Sequence, residues 1–94
     1  MDDQKFSDVP SGKSISYEQF IIYLEQGREI EFVYDGKEYF ISHSQEGRAL
    51  WYGKTRLSDY FSQSDIGGIN FIKIDGINIM DLFKQRKVEI LTIF

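Results

Sequence analysis

The residues that could do chemistry are few and badly placed for it. His43 is the single histidine among 94 residues, and cysteine is absent. A structural zinc site needs several Cys or His ligands, so none can be assembled here, and no His-Glu or Asp-x-Asp spacing points to another metal. Any serine nucleophile would have to use His43 as its base, and no Gly-x-Ser-x-Gly elbow is present. Paired carboxylates can act as acid and base. With 15 Asp and Glu on so short a chain, some pair is unavoidable and its existence carries no information. Ser11-Gly12-Lys13-Ser14 invites comparison with a phosphate-binding loop, but a Walker loop requires Gly where Ser7 stands and a strand ahead of it. That stretch reads as a flexible polar tail. The inventory points away from an enzyme and requires no cofactor or metal.

Stepping along the chain, the strongest local signal is Arg28 to His43, two period-2 runs joined by Asp35-Gly36. Asp-Gly tolerates the positive φ angles of a two-residue type I′ turn, which sets the register of the flanking strands. Tyr34 then faces Lys37, Phe32 faces Tyr39 and Ile30 faces Ile41, so one face carries Ile30, Phe32, Tyr34, Tyr39 and Ile41. The other carries Glu29, Glu31, Val33, Glu38, Phe40 and Ser42, acidic except for two apolar residues that ask for cover. His43 falls opposite Arg28 at the open end, where a neighbouring cation disfavours the imidazolium, and it reads as a structural or incidental histidine.

Residues 1–15 lack periodicity and read as a mobile lead-in, leaving 16–94 as a single domain. Ser16 and Gln19 have the spacing of a capping box, and Tyr17, Phe20, Ile21 and Leu24 form a helical stripe stopped by Gly27. The outer side of that helix offers Glu18, Ile22 and Glu25, with the isolated Ile22 also compatible with an ordinary wet surface. After a turn at Ser44–Arg48, Ala49 to Gly53 reads as a third antiparallel strand. It holds Trp51, which suits either an interface anchor or packing beneath a helix on the second face; the need to cover Val33 and Phe40 favours the latter. Thr55 to Ser64 is mixed, with Thr55 a possible cap for a short helix. Asp65 to Gly68 reads as a loop and Ile69 to Ile74 as a strand, and Asp75-Gly76 marks a turn. Asn78 is an N-cap with Asp81 in the first turn, and Lys84, Arg86 and Lys87 suit the helix end. Val88 to Phe94 is apolar on both faces and is expected inside the sheet.

The fold class expected is therefore α+β, an N-terminal helix packed on an antiparallel meander with a short C-terminal helix and a closing strand. Size scaling gives roughly 5,600 Å² of folded surface for a single domain of this mass. Cysteine is absent and neither a leader nor an apolar run long enough to span a membrane is evident, which together suit a cytoplasmic protein. Net charge is −4. That argues against nucleic acid, whose affinity is dominated by Lys and Arg, and favours a basic protein partner. The residues expected to meet it are Glu18, Ile22, Glu25, Glu29, Glu31, Glu38 and Trp51.

Phe20 to Leu24, Gly27-Arg28-Glu29-Ile30-Glu31-Phe32, Asp35-Gly36, and Lys73-Ile74-Asp75-Gly76 followed by Ile77 to Phe83 also form a recognisable succession. In it the chain resembles a family of short, mostly uncharacterised Firmicute proteins over about Ser16 to Ile90. It departs from that pattern at Phe83 and Gln85, where a Trp-centred helix end is expected, and at Gly67-Gly68. Some members accompany toxin genes, so the resemblance implies an immunity or antitoxin protein that occludes a basic toxin; it carries over no catalytic residue. The alternative is a structural or adaptor protein, either monomeric or a weak homodimer through a strand edge.

Overall fold

The computed structural model of the chain describes residues 14–62 and 66–94. In order, its elements are helix α1 (Tyr17–Glu25), strands β1 (Ile30–Tyr34), β2 (Lys37–Ile41), β3 (Leu50–Tyr52) and β4 (Thr55–Arg56), and a 3₁₀ helix (Ile66–Phe71). Strands β5 (Lys73–Ile74) and β6 (Ile77–Asn78), helix α2 (Ile79–Lys84) and strand β7 (Val88–Ile93) complete it. This is the expected α+β arrangement.

Local chemistry accounts for most of the element boundaries. The Gln19 amide donates to Ser16 Oγ and the Ser16 amide to Gln19 Oε1, each at 3.1 Å, which closes the capping box that starts α1. Asp35 (φ 54°) and Gly36 (φ 74°) make the primed turn, and the β1–β2 register is Ile30↔Ile41, Phe32↔Tyr39, Tyr34↔Lys37. Asn78 Oδ1 accepts from the Met80 amide at 2.9 Å to start α2.

Sheet order is β4-β3-β2-β1-β7, antiparallel at every pairing, with β5 and β6 forming a separate small ribbon. One face, carrying Ile30, Phe32, Tyr39, Ile41, Leu50 and Ile90, is buried beneath the helices. Phe83 of α2 stacks on Phe20 of α1 at 4.2 Å between ring centroids and meets Phe32 of β1 at 6.1 Å. Burying each such ring contributes about 2–3 kcal/mol. Four sequence expectations need correcting. Among the described residues β7 ends the sheet and does not sit inside it. Its apolar residues on both sides arise from a bulge: Ile90 pairs with Phe32 and Thr92 with Glu31, leaving Leu91 with no residue opposite it on β1. Thr55 starts a strand and caps no helix, because Tyr52 and Trp51 are free to pair with Thr55 and Arg56 across Gly53-Lys54. The strand expected over Ile69 to Ile74 is mostly 3₁₀ helix, with only Lys73–Ile74 extended. Finally, Ile15 is 3 % exposed within the core and Arg86 Nη1 donates to Ser14 Oγ, so the packed unit begins before residue 16. The Ser11-Gly12-Lys13 part of the polar run lies outside the described residues.

One charged residue is completely buried. The Arg48 guanidinium donates to Leu24 O at 2.8 Å, to Arg28 O at 3.0 Å and to Ser42 O at 3.4 Å, so it ties the C-terminal turn of α1 to the entrance of β1 and the exit of β2. Helix-end carbonyls are electron-rich and short of donors, which is the environment a buried cation requires. Burial pushes Arg48 below the ordinary arginine range, and the nearby Glu29 carboxylate opposes that shift.

Candidate functional site

The two faces of the sheet have different fates. Because the buried face takes both helices, no helix covers the opposite face among the described residues, and the helix expected over Trp51 is not there. Pairing across β7, β1, β2, β3 and β4 lines up Thr92, Glu31, Phe40, Trp51 and Arg56 in one row of that open face. A neighbouring row holds Glu89, Val33 and Glu38. Phe94, 59 % exposed, folds back so that its ring meets the Phe40 ring edge-on at 6.1 Å. Trp51 is half-buried, and its indole N–H donates to Ser42 Oγ at 2.9 Å, which fixes its orientation. A shallow groove of about 710 Å³ at Phe40 is lined by Glu29, Glu31 and Glu38 together with Lys37.

Among the described residues Glu31, Glu38 and Glu89 have no cationic partner, so their charge faces outward from this part of the sheet. Glu29 is partly occupied: its Oε2 accepts from the His43 amide at 3.0 Å. His43 in turn places Nδ1 at 3.0 Å from Gly27 O. A carbonyl only accepts, so Nδ1 is the donor and the ring is a structural brace at the end of α1, as its isolation in the sequence suggests. Arg28 turns away from it, donating to Phe94 O and Ile93 O at 3.3 Å each. On the buried face, burial pushes the Tyr39 phenol above its usual range; Asp75 adds to the shift and Lys37 opposes it.

The structure divides the seven residues expected to meet a partner. Glu29, Glu31, Glu38 and Trp51 share the open sheet face. Glu18, Ile22 and Glu25 are exposed, with Ile22 at 51 %, but they project from α1, which lies on the buried side of the sheet. A helix that turns its apolar stripe toward a sheet must turn its polar side away from it, so the two groups occupy opposite sides of the molecule and form no common surface. Sequence reasoning omitted Phe94 and Glu89 from the site. Glu89 follows from β7 alternation, but Phe94 could not be assigned a face without knowing of the bulge. Among the described residues no group of three or more His, Cys, Asp or Glu is placed to hold a metal ion, and no helix is long and apolar enough to cross a membrane. Compared with family models, with curated proteins and with solved structures, the chain matches none.

Proposed function

We propose that the chain is a non-enzymatic binding module whose open sheet face covers a basic surface on another protein, in the manner of an immunity or antitoxin protein occluding its toxin. The observation that carries this reading is the composition of that face: aromatic rings at the centre, with Glu31, Glu38 and Glu89 beside them and without a cationic partner among the described residues. Exposed apolar area beside clustered carboxylates, with Arg56 only at the β4 end of the row, is the arrangement of a surface suited to cover by a partner of the opposite sign. The resemblance to short Firmicute proteins that accompany toxin genes supports the occupant being a toxin.

Pairing two copies through this face is disfavoured by the same residues, since it would bring like-charged carboxylates within about a Debye length, ~8–10 Å. A homodimer therefore gains no support from it.

The test is co-expression with the product of the adjacent gene, scored for a complex and for relief of toxicity. Wild-type protein is expected to give both, and neutralising Glu31, Glu38 and Glu89 together as Gln is expected to slow association about tenfold or more at low salt. Because these side chains have no cationic partner among the described residues, the melting temperature should stay unchanged. Neither complex nor protection with wild-type protein would sink the proposal.

A further inference from the structure

A second surface, of the opposite character, lies at the β4 edge. The chain after β4 runs back beside β3, with the Leu57 amide donating to Leu50 O at 2.8 Å and Phe61 exchanging backbone hydrogen bonds with Arg48 at 2.8 and 2.9 Å. Between this strap and the end of the 3₁₀ helix is a groove of about 630 Å³, walled by Leu57 and Tyr60 on one side and Phe71 on the other. Phe71 is 86 % exposed. A phenyl ring left in water forgoes about 2–3 kcal/mol of available burial, and here it adjoins two further exposed apolar side chains. Both walls are held in place. Phe61 is pinned by its ladder to Arg48 and pressed by Gly68, where even an added Cβ would lie 2.7 Å from Phe61 Cβ, while the Ile79 amide donates to Ile72 O at 3.0 Å.

The electrostatics of the groove select the occupant. Arg56 and Lys73 bracket it, and both are exposed. The Arg56 guanidinium lies 4.5 Å from the Tyr60 ring centroid and donates to Ser58 O, and among the described residues neither cation has a carboxylate partner. Asp59 is the one carboxylate among the described lining residues. In a chain of net charge −4, a locally cationic apolar groove is the exception, and it is complementary to an anion.

We propose that this groove docks an acidic peptide segment bearing an aromatic or large aliphatic anchor: the anchor lies between Leu57 and Phe71, and flanking carboxylates meet Arg56 and Lys73. The open sheet face and the groove then read opposite charges, so one molecule can hold a basic surface and an acidic segment together.

The experiment is amide NMR on the full chain, titrated to millimolar with the blocked peptide Asp-Glu-Leu-Phe-Asp-Glu and with its charge-reversed counterpart Lys-Arg-Leu-Phe-Lys-Arg. The acidic peptide is expected to shift amides of Leu57–Phe61 and Phe71–Lys73, while the basic one leaves them in place. Phe71→Ser and Lys73→Glu should each weaken acidic-peptide binding about tenfold or more, without lowering the melting temperature, since both side chains are exposed. Unmoved groove amides, equal shifts from both peptides, or binding that survives Phe71→Ser would each overturn the proposal. So would concentration-dependent shifts of the same amides in the peptide-free protein that vanish in Phe71→Ser, because these assign the groove to a second copy.

Discussion

Replacing Arg48 by Met keeps most of its volume and removes its charge and all of its donors. Arg48 supplies two short hydrogen bonds, to Leu24 O at 2.8 Å and Arg28 O at 3.0 Å, and a long one to Ser42 O at 3.4 Å. The long contact contributes little. Leu24 O keeps a second donor in the Gly27 amide at 3.0 Å, so the loss there is partial, and withdrawing the guanidinium from these buried and part-buried carbonyls costs about 1–3 kcal/mol. Losing a cation at the end of α1 adds about 0.3–1 kcal/mol or more. Against these stands the relief of no longer desolvating a guanidinium, and the balance is a destabilisation of about 1–3 kcal/mol. For a domain of this size that is a sizeable share of a total of about 5–14 kcal/mol, and it corresponds to roughly 4–24 °C in melting temperature. Arg48→Lys keeps the charge but replaces a planar fork with a point donor that cannot span both carbonyls, so about half the loss is expected. Urea unfolding followed by the fluorescence of Trp51, the only tryptophan, measures both variants against wild type. An Arg48→Met protein within about 0.5 kcal/mol of wild type would refute the reasoning, because that is the range of surface substitutions with no structural consequence.

Further predictions concern other parts of the fold. Burial raises the phenols of Tyr17 and Tyr39. The folded state thus favours the protonated form, and the stability this gives is complete below the unfolded value of about 10 and is lost as pH rises from there through the raised folded-state value. Urea midpoints between pH 8 and 11 should therefore fall at the alkaline end, and fall less steeply in Tyr39→Phe; an unchanged slope in that variant would contradict it. An added Cβ at Gly47 (φ 117°) would lie 2.6 Å from Phe61 O, so Gly47→Ala is expected to cost about 2–3 kcal/mol by thermal melting from backbone strain plus overlap. Ser16→Ala removes the acceptor of the Gln19 amide and should cost about 1 kcal/mol, with amide exchange quickening first in the opening turn of α1.

Where a feature depends on a few adjacent residues, the sequence made it legible. Asp35-Gly36 dictates its turn and hence the β1–β2 register, Ser16 and Gln19 cap α1, and Asn78 caps α2. Features that depend on distant partners were not legible. Ile66 to Phe71 is apolar enough for a strand, but it follows the 57–61 strap and presses Gly68 onto Phe61, a packing choice that propensity does not encode. Arg48 sits in a run that reads only as a turn, and nothing local announces that carbonyls of three separated residues converge on it. For the candidate site, alternation correctly separated Glu29, Glu31 and Glu38 from the core. Helical periodicity likewise set Glu18, Ile22 and Glu25 outward, but outward from a helix and outward from the sheet it covers are opposite directions.

The irregularity at Leu91 bears on how such a surface is altered over generations. Strict alternation from Ile90 would send Thr92 and Phe94 toward the core and Ile93 toward solvent; the extra residue reverses this, so that Ile93 faces Ile30 and Phe94 reaches Phe40. Excising the Leu91 codon would leave Thr92, Ile93 and Phe94 on these faces in a regular ladder, whereas ironing out the bulge with Leu91 retained would exchange the facing of all three, putting a hydroxyl into oil and taking an aromatic ring off the contact surface. Point replacements can grade the chemistry of that surface one position at a time. The bulge at Leu91 decides which of the later side chains of β7 take part.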